Sequence, residues 1–124
     1  MRTPLGRVRH YGSAHEGTAD FRRQRLTGAA NVLLVIGLVA VIVATVCKPY
    51  ETVVTILGSP WVVALLVLLF VSAATHMRIG MQAVIEDYIH GEGLKIVLIA
   101  ANTLFAVAIA TIAILAVLKP AFGA

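Results

Sequence analysis

Acidic residues are scarce in this chain, cysteine is nearly absent, and charge is missing from most of its longest apolar runs. Only six of the 124 residues are Asp or Glu, and all charged residues together make up 13%. Ordinary soluble domains are about one quarter charged. With 60% hydrophobic residues and a mean hydropathy of +0.94, a soluble fold with a polar skin is excluded. The single cysteine, Cys47, excludes an internal disulfide, a CxxC metal pair and a protein-held iron–sulfur cluster. No glycine fingerprint for a dinucleotide is present either. Internal repeats and low-complexity tracts are also lacking. What remains is an integral membrane protein without soluble redox machinery of its own.

Three stretches suit a hydrocarbon core, which needs roughly 20 apolar residues. They run over about 26–46, 60–84 and 94–118. Continuous rather than alternating apolarity excludes strands as spans. The expected fold is therefore all-α, with three transmembrane helices running up-down-up. Six arginines (Arg2, Arg7, Arg9, Arg22, Arg23 and Arg25) precede the first span, which predicts a cytoplasmic N-terminus. The loop at 86–93 holds three acids and no Lys or Arg, but acids count little in this rule.

The net charge of +4 follows from that basic cluster, so anionic lipid rather than nucleic acid is the expected partner. The first apolar stretch starts late and is too long for a cleavable signal of roughly 7–15 residues. It is expected to remain as a span. Cys47 has Val46 where a lipoprotein site wants a small residue, and it reads as an apolar filler near the external interface.

Along the chain, residues 1–24 form a polar cytoplasmic arm, extended through residue 20, and residues 25–124 form the membrane anchor. Asp20 is placed to cap the first helix, with Gln24 just inside. Lys48-Pro49 and Gly58-Ser59-Pro60 break the chain between the first two spans. Gly91 and Gly93 bracket the second turn, and Lys119-Pro120 closes the third helix. Short connections favour an antiparallel three-helix bundle.

His76, in the second span, stands where an ionisable group is costly. One neutral imidazole in a membrane suggests an axial haem ligand; the competing reading is a hydrogen bond to a Ser, Thr or carbonyl on a neighbouring helix. At about 100° per residue, Ser72, His76, Gly80, Ala83 and Asp87 share one stripe. Gly80 is expected to leave room for a porphyrin edge. Arg78 points about 200° away, toward an acidic partner, a haem propionate or water, or else serves as a plain helix-end anchor. Asp87 and Tyr88 lie about 16–18 Å of helix rise beyond His76. Tyr88 is an interface aromatic, or a donor to a quinone carbonyl supported by Asp87; His90 is a further proton carrier. Asn102 is expected to hydrogen-bond between helices.

The run His76-Met-Arg78-Ile-Gly80-Met-Gln-Ala-Val-Ile-Glu86-Asp87-Tyr88 resembles the H-x-R-x-G-x6-D-Y pattern of the succinate dehydrogenase hydrophobic membrane anchor subunit, D-type. Residues Gly12 to Thr27 are more loosely similar to the pre-helix segment of its alphaproteobacterial members. The resemblance implies that His76 supplies one axial ligand to a haem b whose other ligand comes from the cytochrome b556 subunit. It implies that Tyr88, supported by Asp87, binds ubiquinone, and that Arg25 lies near the haem propionates. The implied partners are the flavoprotein, iron–sulfur and cytochrome b556 subunits, in a bacterial inner membrane. A fumarate reductase-type anchor and a small self-associating transporter are the alternatives.

Overall fold

The computed structural model describes residues 15–123. Four helices follow one another: α1 (His15–Thr45), α2 (Tyr50–Leu57), α3 (Pro60–Tyr88) and α4 (Glu92–Ala121). No strand occurs among the described residues. Three of these helices contain segments long and apolar enough to cross a membrane: Thr18–Thr45, Pro60–Tyr88 and Glu92–Ala121. The expected all-helical fold with three spans is what forms. The arginines at 2, 7 and 9 lie outside the described residues.

Each boundary has a local cause. α1 starts at His15, so residues 15–20 are helical rather than extended as expected. Asp20 accordingly sits inside the helix, where its carboxylate is 3.9 Å from the Arg23 guanidinium, and does not cap it. Cys47 ends α1 with φ of 60°, the left-handed conformation that reverses a helix end. It is exposed, so it is a helix stop and not the apolar filler expected. Pro49 opens α2, with Glu51 in its first turn and Gly58 closing it. The connection between the first two spans thus contains two helical turns. Ser59, extended at ψ 135°, hands over to Pro60 as the first residue of α3, where a missing N–H costs nothing.

The three long helices form a row rather than a closed bundle. α3 packs against α1 on one side and α4 on the other, while α1 and α4 do not touch among the described residues. α2 lies across the end of the row and meets all three. Close pairs between α1 and α3 run in opposite directions along the two helices: Gln24 with Gly80, Gly28 with His76 and Gly37 with Leu65. The helices are therefore antiparallel, as short connections require.

The central position of α3 decides where the core lies. The buried apolar residues are Leu66, Leu69, Ile79 and Ile85 on α3 and Ala106 on α4. The outer faces of α1 and α4 carry exposed Ile36, Val43, Leu104, Ile112 and Leu115. Lipid suits such surfaces, because an apolar side chain loses nothing by facing hydrocarbon.

Candidate functional site

α3 has two polar sides because residues two apart on a helix point about 200° apart. His76 faces α1, and Arg78 faces α4. On the α1 side, Thr27 Oγ1 lies 3.2 Å from His76 Nδ1. One turn away, Ser72 Oγ donates to the Thr27 carbonyl oxygen at 3.3 Å. Gly28 lies against the ring: a methyl group there would stand 3.4 Å from Cε1. The imidazole is half-buried, and Nε2 forms no hydrogen bond among the described residues.

Gly80, one turn on, does not leave open space for a macrocycle edge as expected. A methyl group at that position would meet Gln24 Nε2 at 3.3 Å, so the α1 side chain already fills the gap. The small residues of the stripe serve close helix approach. Within the contact, Gln24 Oε1 and Asn31 Oδ1 are buried without a hydrogen-bond partner. Each retains lone pairs for a donor in a zone where an unmet polar atom costs about 1–3 kcal/mol. Beside Thr27 and Ser72 opens an apolar groove of about 470 Å³, lined also by Leu26, Leu34, Leu68 and Val71.

On the opposite side, the Arg78 main chain and side chain have separate partners. Asn102 Nδ2 donates to the Arg78 carbonyl at 2.9 Å, the interhelical bond expected of Asn102. The Arg78 guanidinium meets Gln82 Oε1 at 3.4 Å, and Gln82 Nε2 donates to Glu86 Oε1 at 3.0 Å. A polar ladder thus runs along α3 from the middle of the span to its end. Its first step is to an amide rather than to a carboxylate.

The structure places the remaining expected residues apart from His76. Arg25 stacks over the Phe21 ring at 4.7 Å and is exposed. Asp87 and Tyr88 end α3, both exposed, and neither forms a side-chain hydrogen bond among the described residues.

The residues that the sequence reading missed are Thr27, Gly28 and Asn31, together with the contact made by Gln24, which it placed only at the start of the helix. Their spacing of three and four, running from the charged start of α1 into its apolar part, is the signal that would have found them, since it puts all four on one face.

The donor set is narrow. Among the described residues, no three of His, Cys, Asp and Glu gather to hold a metal ion. One imidazole with one uncommitted nitrogen is a fitting donor for a metal whose other ligands come from a macrocycle and a second chain.

Fold and site together define a polytopic helical membrane protein with polar contacts on both sides of its central helix. The sequence profile of the succinate dehydrogenase/fumarate reductase transmembrane subunit matches residues 1–117. The chain belongs to that family, and is a membrane anchor subunit of such a complex, with flavoprotein and iron–sulfur chains as partners. This membership takes the place of the transporter alternative. No curated protein and no solved structure gives a significant match.

Proposed function

We propose that the chain is the D-type anchor of a succinate:ubiquinone oxidoreductase, in which His76 supplies one axial ligand to a haem b shared with a cytochrome b556 subunit. The observation that carries this reading is the state of the His76 ring. One nitrogen is engaged by Thr27 at 3.2 Å, and the other forms no hydrogen bond inside a membrane-spanning helix. The Thr27 contact by itself meets the competing reading of a hydrogen bond to a neighbouring helix; the second nitrogen, left without a partner in a span where ionisable groups are costly, is what supports a ligand. When bound, a haem supplies a one-electron store between the iron–sulfur chain and the quinone.

The chain's own residues divide the remaining tasks. His76 holds its ring against Gly28 and Thr27. Arg25 offers positive charge near the start of the first span, where propionates of a shared haem would be stabilised. Tyr88 offers a phenolic O–H to a quinone carbonyl, and Asp87 beside it accepts hydrogen bonds from water and holds protons near the membrane surface. His90, just past α3, extends that polar cluster. Since Asp87 and Tyr88 are exposed, the iron–sulfur and cytochrome b556 chains complete the pocket. The arginines ahead of the first span favour a cytoplasmic N-terminus, and the inner membrane of a bacterium is the setting this reading gives the complex. The fumarate reductase reading keeps the same residues and differs in the quinone and the direction of electron flow.

His76→Ala in the assembled complex tests the reading. Loss or alteration of the haem b spectrum with retained flavin is expected; an unchanged spectrum rejects His76 as a ligand.

A further inference from the structure

Thr27 has one hydroxyl proton and three neighbours for its oxygen. Arg23 O lies 2.7 Å from Oγ1 and Gln24 O lies 3.2 Å away, both of them carbonyls of the same helix. A carbonyl only accepts, so the hydroxyl proton is directed to the α1 backbone. The third neighbour is His76 Nδ1, at 3.2 Å. What Oγ1 presents to that nitrogen is a lone pair. The contact is a hydrogen bond only when Nδ1 carries the hydrogen, and a neutral imidazole protonated at Nδ1 has its lone pair on Nε2. The reverse assignment either sets two lone pairs against each other or draws the hydroxyl proton away from the Arg23 carbonyl.

Position as well as chemistry is held. Ser72 Oγ donates to the Thr27 carbonyl at 3.3 Å, so two residues one turn apart on α3 grip a single residue of α1. This keeps Oγ1 opposite the ring. Gly28, the next residue, lets the Cε1–Nδ1 edge of the ring approach α1 closely.

We propose that Thr27 is the positioning residue of His76: its hydroxyl accepts Nδ1–H and keeps the ring in the tautomer whose Nε2 lone pair is free for a metal. The proposal rests on the reading of His76 as an axial ligand. Metal-bound histidines commonly donate their other ring N–H to such an acceptor, which fixes the ring and raises ligand basicity; losing it costs about 10–100-fold in metal affinity.

The test compares Thr27→Ser, which keeps the hydroxyl, with Thr27→Val, which keeps the shape, in the assembled complex. Thr27→Ser is expected to retain both the haem content and its midpoint potential. Thr27→Val is expected to move the potential upward, because a less basic imidazole favours the oxidised iron less, or to bind haem about 10–100-fold more weakly. Equal potential and haem content in Thr27→Val and the parent overturn the proposal. So does loss of haem in Thr27→Ser, which would point to the methyl group as the part that matters. Should the parent complex contain no haem b, the ligand reading fails, and the ring itself still decides. In the full-length chain labelled with ¹⁵N-histidine in lipid nanodiscs, His76 is expected to show a protonated Nδ1 and an unprotonated Nε2, with the pattern lost in Thr27→Val. A protonated Nε2 in the parent overturns the proposal.

Discussion

Gly28 on α1 and His76 on α3 approach so closely that a methyl group at position 28 would stand 3.4 Å from the imidazole Cε1. Contact at that distance tolerates a methyl group with a shift of a few tenths of an ångström, but not a branched side chain. Gly28→Ala is therefore expected to keep the haem with a slightly altered spectrum. Gly28→Leu is expected to drive the ring away from Thr27 and lower the haem-to-flavin ratio on the order of tenfold. Pyridine haemochrome and flavin assays on the purified complex measure that ratio.

Asn102 binds the other side of α3. Its buried amide donates to the Arg78 carbonyl at 2.9 Å, about 200° around the helix from His76. Asn102→Leu removes one interhelical bond, worth about 0.6–1 kcal/mol in such settings. A small fall in the melting temperature of the solubilised complex is expected, with the haem spectrum unchanged. A changed spectrum would mean that the two sides of α3 are coupled.

At the end of α3, Tyr88 has an exposed ring and a hydroxyl without a partner among the described residues. Tyr88→Phe removes only that hydroxyl. Succinate-driven quinone reduction is expected to fall, while transfer to an artificial acceptor from the soluble subunits stays at the parental level. Unimpaired quinone reduction would place the quinone elsewhere.

Cys47 reports orientation without any substitution. It is the single cysteine, it is exposed, and it follows α1 directly. With a cytoplasmic N-terminus it faces the opposite side of the membrane. A membrane-impermeant maleimide should therefore label this chain in spheroplasts without permeabilisation. Labelling only after permeabilisation would invert the topology.

The spans were legible because a membrane asks one simple thing of a sequence, an apolar run of sufficient length, and three such runs are present. Their ends were less so: α3 continues to Tyr88 and α1 begins at His15, because a helix goes on past the hydrocarbon wherever nothing breaks it. α2 was missed because its eight residues are too few to stand out between two breaks. The row arrangement was not legible either, since apolar faces suit lipid and a neighbouring helix equally well.

At the site, His76 announced itself by its cost in a span, and Asn102 by the same logic. The opposing face of α1 did not. Gln24, Thr27, Gly28 and Asn31 are ordinary residues individually, and only the pairing with α3 gives them a role. Gly80 shows the converse: a small residue beside a histidine reads as space for a ligand until the Gln24 side chain is found in it.

The most direct measurement is a dithionite-reduced minus oxidised absorption spectrum of the complex, solubilised gently through a tag on this chain, with the co-purifying chains identified. A b-type α-band is expected, together with a flavoprotein, an iron–sulfur protein and a second small membrane chain. A complex that contains the flavoprotein and iron–sulfur chains in full yet shows no b-type band would contradict the assignment of His76.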